Sequence, residues 1–181
     1  MTVPGVPDLY QGADFWDFTL VDPDNRRPVD YASRQQALQQ SLDLPDLLTH
    51  WRDGRIKQAL IAQTLNLRAE HADLFRHGSY QALEVIGSQA KRVLGFVREW
   101  EGKRAIVIVP IRCSALLENS AAPQVDALQW GDTRVSLPFT TAEENLKGLF
   151  TSVAVTKNRE LMISAALGDF PVNLFIQTTH T

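Results

Sequence analysis

The chain has one cysteine, Cys113, among 181 residues, so it can form no internal disulfide and fits a reducing compartment. Cys113 follows a strand-like run, where a buried, inert thiol is expected rather than a nucleophile. No apolar run approaches the ~20 residues that a membrane-spanning helix needs. Met1-Thr2-Val3-Pro4 has neither the basic nor the apolar part of a signal peptide. The sequence therefore reads as soluble and cytoplasmic, without a membrane partner. An excess of basic charge is also missing: 18 Lys and Arg stand against 21 Asp and Glu, a net charge of -3. With no basic stripe, nucleic acid is excluded as the natural partner.

The usual signatures of a self-contained active site are missing too. His50, His71, His77 and His180 show no metal-ligand spacing, so no metal is expected. No Gly-rich phosphate loop follows a strand, and no Gly-x-Ser-x-Gly elbow occurs; no cofactor is expected. Glu143-Glu144 and Glu99/Glu101 are paired only in sequence. Neighbouring or alternate carboxylates on exposed strands and loops read as solvated charge, so no catalytic residue is assigned.

What is present is enough apolar material for a core, 44% of the residues, arranged in two styles that change near residue 76. Residues 3–10 read as a short buried strand or its exit, limited by Pro4 and Pro7, and residues 11–30 as a loop. Asp30 caps a predicted helix to about Gln40. Asp43 caps a second, with Pro45 in its first turn, to about Trp51. Asp53-Gly54 breaks the chain before an amphipathic helix from Arg55 to about Glu70, built on Ile56, Ala59, Leu60, Gln63 and Leu67. Residues 71–77 read as an irregular exit. Strands are then predicted over 80–86, 93–100, 104–109, 133–137, 149–156, 160–163 and 170–177. Glu101-Gly102-Lys103 marks a hairpin and Lys157-Asn158-Arg159 a turn. Ala105-Ile106-Val107-Ile108-Val109 is apolar on both faces, which places it centrally in a sheet. Residues 110–131 read as a long polar connection. The strands together form a predicted antiparallel sandwich.

The densest segment is the first thirty residues. Tyr10, Phe15, Trp16 and Phe18 supply aromatic faces, and Gln11, Asp14, Asp17, Asp22, Asp24, Asn25, Arg26 and Arg27 supply hydrogen-bonding groups. That mixture suits a sugar, which has an apolar ring face to stack on and vicinal hydroxyls to chelate. It equally suits a loop pinned by Asp–Arg pairs and Asx-turns with its aromatics in the core.

Pro4-Gly5-Val6-Pro7-Asp8-Leu9-Tyr10-Gln11-Gly12 resembles the strand-eight motif of the α-amylase family, glycoside hydrolase family 13. The continuation Asp17-Phe18-Thr19-Leu20-Val21-Asp22-Pro23-Asp24-Asn25-Arg26-Arg27-Pro28-Val29-Asp30 is similar to that of its malto-oligosyltrehalose synthases. Asp53-Gly54-Arg55-Ile56-Lys57 and Leu65-Asn66-Leu67-Arg68 resemble that group's last barrel helix. Phe96-Val97-Arg98, residues 105–110 and Gly168-Asp169-Phe170-Pro171-Val172 resemble its C-terminal β-domain. Where the family has Thr-Glu, Ala13 and Asp14 follow Gly12, and residues 111–131 show no resemblance.

The resemblance implies an α+β chain. Residues 1–76 would be the last strand, loop and closing helices of a (β/α)8 barrel, and residues 77–181 a C-terminal antiparallel β-sandwich. It implies a maltodextrin substrate for the intact enzyme and the remainder of the barrel as partner. It also implies conversion of a reducing-end α-1,4 bond to an α,α-1,1 bond. The family's catalytic carboxylates lie upstream of strand eight, so this chain by itself is expected to be inactive. Tyr10, Gln11, Asp14, Trp16 and Asp17 would approach the substrate, while Asp22, Asp24, Asn25, Arg26 and Arg27 would hold the loop. A non-catalytic structural or glucan-binding module is the alternative, with Trp100 and Trp130 expected to pack rather than stack on sugar. Deprived of neighbouring strands, residues 1–30 are expected to be mobile or repacked against the helices or a second copy, with self-association through exposed barrel surface.

Overall fold

The computed structural model describes residues 1–118, 120–139, 145–151 and 154–178. Residues 31–77 are largely helical: α1 (Tyr31–Gln39), α2 (Leu44–Thr49), α3 (Arg55–Glu70) and α4 (Ala72–His77). The caps foreseen in the sequence are in place. Asp30 accepts from Ser33 N and Asp43 from Asp46 N, each satisfying a donor that the first turn leaves open. Gly54 turns the chain with φ +89°, a left-handed conformation that a side chain resists. The Asp53 carboxylate accepts from Arg55 N at 2.9 Å, so α3 starts where the sequence puts it. The irregular exit expected over 71–77 is instead α4, because Leu74 and Phe75 are both 1% exposed and need a helical face to reach the sheet.

Residues 3–10, expected as a short buried strand or its exit, form no strand. They pair with no strand among the described residues, and Val6 is 94% exposed. A lone extended segment has no ladder partner, so its polar groups turn to side chains or water. Of the arrangements expected for residues 1–30, contact with α1 and α3 is present at Met1, Gly5, Gly12, Asp14 and Phe15.

Two antiparallel sheets follow. The first has the order β1 (Gln81–Ala82), β3 (Val93–Trp100), β4 (Lys103–Pro110), β9 (Asn173–Thr178). The second runs β2 (Glu84–Ile86), β5 (Arg134–Ser136), β8 (Glu160–Met162), β7 (Ala154–Lys157), β6 (Asn145–Leu146). A short helix, α5 (Ile163–Ala166), follows β8. The predicted 80–86 strand is thus divided between the sheets; of the predicted 149–156 strand, β7 takes up 154–156, residues 149–151 are bends, and 152–153 lie outside the described residues. Glu143-Glu144 and His180 lie outside the described residues. The β3–β4 hairpin pairs Trp100 with Lys103 across Glu101 and Gly102, both at positive φ, as a two-residue turn between twisted strands requires. Asn158 and Arg159 do the same between β7 and β8.

Strand β4 lies inside the first sheet, and its alternation explains its sequence. Ile106 and Ile108 face the second sheet in a cluster with Val97, Val135, Leu161 and Phe175. Ala105 and Val107 face the other way, against Leu74, Phe75 and Phe96. One sheet is therefore covered on both faces, by the second sheet and by α4, and apolar residues occur consecutively. A third cluster joins Leu47 and Ile56 of α2 and α3 to Phe150 and Phe170, whose rings stack 4.6 Å apart. The 110–131 connection is less open than its composition suggests: it carries two short 3-10 turns and buries Val125 and Trp130 in the inter-sheet cluster. Trp130 is 1% exposed, and Trp100 packs at 5.2 Å on His77. The Cys113 thiol bonds the carbonyls of Arg92 and Ile111, and burial pushes its pKa up, the setting of an inert thiol.

Candidate functional site

The loop after residue 10 folds on itself through Ala13 N to Tyr10 O at 3.0 Å and Phe15 N to Gly12 O at 3.4 Å. This reversal splits the sequence-derived site residues into two sets. Asp14 turns inward: Oδ1 accepts from Arg34 Nε of α1 at 3.0 Å, and Oδ2 from Gln58 Nε2 of α3 at 2.7 Å. Gln58, only 3% exposed, also donates to Arg34 O at 3.1 Å. Arg34 further donates to Gly12 O and Asp30 O, each at 2.9 Å, and its guanidinium lies 4.8 Å from the Phe15 ring. Both Asp14 oxygens are thereby committed to protein, and the carboxylate acts as a strut behind the turn.

The other four residues face outward. Tyr10 is exposed. Gln11 accepts the Tyr31 hydroxyl at its Oε1, 3.1 Å away, and its amide nitrogen has no protein partner among the described residues. Trp16 is 38% exposed and is held at two points. Its Nε1 donates to Trp51 O at 2.6 Å, and its ring meets Trp51 edge-on at 6.4 Å. Lys57 lies 5.6 Å from the Trp16 ring centroid while donating to Phe15 O at 3.0 Å. Asp17 is exposed and accepts from Thr19 N at 2.9 Å; hydrogen bonds from Thr19 hold its carboxyl below the usual carboxylate range. Phe18 beside it is 88% exposed. The outward surface combines aromatic faces, a free amide and an ionised carboxylate, groups that can stack on a ring and bond its hydroxyls.

Further along the chain, Asp22 pairs with Arg26 and Asp24 with Arg27, and Asp24 Oδ2 also accepts from Leu20 N at 2.9 Å. Asn25 sits exposed inside the short 3-10 turn, Asp24–Arg26, that these pairs bracket. Exposed pairs of this kind contribute little to stability but fix the local path. Among the described residues, no group of three or more His, Cys, Asp or Glu could hold a metal ion, and no helix is long and apolar enough to cross a membrane.

Sequence reasoning missed Arg34, Lys57 and Gln58 as partners of the loop. One signal was legible: Gln58 sits three residues before Ile61 in the buried row of α3 that continues to Thr64. A polar side chain in such a row needs an internal partner. Arg34 and Lys57 carried no comparable mark, since a cation on a short polar helix or at a helix start reads as solvated.

No family model matches the chain. It is 34% identical over 177 residues, 98% of its own length, to proteins named as maltooligosyl trehalose synthases in two strains of Mycobacterium tuberculosis, CDC 1551 / Oshkosh and ATCC 25618 / H37Rv. The chain spans 19% of the length of these relatives. A crystal structure of maltooligosyl trehalose synthase shares its fold, with a TM-score of 0.64 at 22% identity over 98% of this chain and 20% of that one. By sequence and fold, the chain belongs with the maltooligosyl trehalose synthases as the counterpart of about one fifth of their length.

Proposed function

We propose that this chain is the C-terminal portion of a maltooligosyl trehalose synthase of the α-amylase family. In this reading residues 1–76 complete a (β/α)8 barrel, and residues 77–181 form an antiparallel β-sandwich behind it. The observation that carries the proposal is the 34% identity over nearly the whole chain. The intact enzyme converts the reducing-end α-1,4 bond of a maltodextrin to an α,α-1,1 bond by retaining, intramolecular transfer. Tyr10, Gln11, Trp16 and Asp17 form one wall of the sugar site at the barrel's C-terminal face. Asp14 holds that wall from behind, and the Asp22–Arg27 turn fixes its far end.

Retaining chemistry needs two carboxyls ~5 Å apart across the scissile bond, one as nucleophile and one as acid and then base. In this chain Asp14 is committed to Arg34 and Gln58, and Asp22 and Asp24 to arginines. The reacting carboxylates belong to the part of the enzyme beyond this segment, and the segment contributes orientation and shielding. Shielding matters because water reaching the glycosyl-enzyme would turn a mutase into a hydrolase. The remainder of the barrel is the proposed partner. It would cover apolar groups such as Val6, Phe18, Leu20 and Val21, which are exposed here; without it, self-association through the same surface follows.

The test is incubation of the purified 181-residue chain with maltopentaose, following loss of reducing ends and appearance of a trehalose end. No conversion is expected, and turnover would overturn the assignment of the reacting carboxylates elsewhere. The alternative glucan-binding module is disfavoured by the packing of Trp100 and Trp130. A maltoheptaose titration of tryptophan fluorescence is expected to be flat.

A further inference from the structure

Residues 1–5 belong to no sheet, yet three of their carbonyls are bonded by two arginines from different parts of the fold. Arg68, on α3, donates from Nη1 to Met1 O at 2.9 Å and from Nη2 to Gly5 O at 2.8 Å. Arg98, on β3, donates from Nη1 to Thr2 O at 3.0 Å. Its remaining donors go to Ser79 O at 2.7 Å, Gly78 O at 2.8 Å and Phe75 O at 3.1 Å, carbonyls at and just after the end of α4 that lack helical partners. Arg98 is 1% exposed. Burial, and then the neighbouring charge of Arg68, push its pKa down.

Neither arginine has a carboxylate within ion-pair reach among the described residues. Among the other half-buried arginines, Arg34 has Asp14, Arg55 has Asp46 and Asp53, Arg104 has Glu99 and Arg134 has Glu160, while Arg92 bonds the Gln89 side-chain oxygen and Arg112 O instead. Two adjacent cations without an anion repel each other and lose hydration. The carbonyl dipoles, together with the Phe75 ring 5.5 Å from the Arg68 guanidinium, offset this, and three of those dipoles are supplied by residues 1–5. The segment is poorly supplied with other anchors, since Pro4 and Pro7 have no N–H. The planar guanidinium fork of Arg68 spans two carbonyls four residues apart, which a single ammonium group is not shaped to do.

We propose that Arg68 and Arg98 form a tether that positions the backbone of residues 1–5, and through it the loop at 10–17, against α3 and β3. Lys57 on Phe15 O and Arg34 on Gly12 O continue the same pattern along the segment. Arg68 and Arg98 are then positioning residues for the sugar-facing wall. That consequence rests on the function proposed above, whereas the tether does not.

The experiment is backbone 15N relaxation on the full 181-residue chain. In the wild type, Val3, Gly5, Val6, Asp8 and Leu9 are expected to have order parameters near the rigid-backbone value of ~0.85. Arg68→Gln is expected to lower them below ~0.6 and to shift the Trp16 indole N–H resonance, with β3 and β4 unchanged. Arg68→Lys is expected to restore neither, and Arg98→Lys gives a second route if Arg68→Gln folds poorly. Mobile residues 3–9 in the wild type, or rigid ones in Arg68→Gln, would overturn the tether. An unmoved Trp16 resonance would overturn its extension to the loop. Turnover of maltopentaose by the chain alone would sink the functional reading and leave the tether untouched.

Discussion

Asp14→Ala is the substitution that separates a strut from a sugar contact. The carboxylate receives one charge-assisted bond from Arg34 and one from the Gln58 amide, and the Asp14 and Arg34 side chains are 20% and 18% exposed. Hydrogen bonds to charged groups contribute about 1.5–3 kcal/mol each. The residual exposure and the retained Arg34 bonds to Gly12 O and Asp30 O reduce the sum, so about 2–3 kcal/mol of loop-docking stability should be lost. If the loop unfolds with the rest of the chain, that corresponds to a fall of roughly 4–12 °C in Tm, at about 2–4 °C per kcal/mol for a domain of this size. Urea unfolding should be followed by far-UV circular dichroism and by tryptophan emission, since Trp16 is two residues from the change and reports the loop directly. In the pair Asp14→Asn with Arg34→Gln, the two losses should fall well short of additive, because each variant removes the same contact. A loss under ~0.5 kcal/mol by both probes, the range of an ordinary surface substitution, would refute the strut. Asp14 would then be free to meet a ligand.

Gly54→Ala should destabilise the chain by more than ~1 kcal/mol, because a Cβ at φ +89° would sit 3.0 Å from Phe15 Cβ and from Trp16 N; unchanged thermal unfolding would show that loop and helix start are not in contact. Asn173 is buried and bonds Phe150 N, Leu174 N, Ala166 O and the Thr151 hydroxyl. Asn173→Leu, measured by urea unfolding, should lose about 2–4 kcal/mol by stranding several of these groups, and a neutral result would refute its role as a polar hub. Acid should weaken the fold through Asp46, whose pKa is held down first by its Arg55 hydrogen bond. Asp17, Asp30 and Asp132 act alike, held down first by bonds from Thr19, Ser33 and Ser88. Depressed folded-state values mean stability that is present above the unfolded value near pH ~4 and lost as pH falls through the folded values. Tm measured from pH 7 to 2 should therefore hold down to about 5 and then decline, and a Tm unchanged to pH 2 would contradict those shifts.

Local chemistry made much of the fold legible. The caps at Asp30 and Asp43, the break at Gly54, the start and end of α3 and the β3–β4 hairpin all depend on residues a few positions apart, and each falls where the sequence places it. The double-sided burial of β4 was readable because consecutive apolar residues in a strand require two covers. Misreadings fell where partners are distant. Residues 71–77 became helical because Leu74 and Phe75 must meet a sheet formed twenty and more residues later. Residues 80–86 were divided because two sheets compete for them. The polar-looking 110–131 connection proved to bury Val125 and Trp130.

The sequence by itself determined where helices start, where strands turn, and a motif-level kinship that the 34% identity supports. These follow from short-range sterics and hydrogen bonding, which any window of the chain contains. Only the tertiary structure decided which site residues look outward. Asp14 and Asp17 are three positions apart with the same chemistry, yet one is locked between α1 and α3 and the other stands in solvent. That difference comes from Arg34 and Gln58, brought to the loop by the packing of two helices across 20 and 44 residues of chain, and no local window contains it.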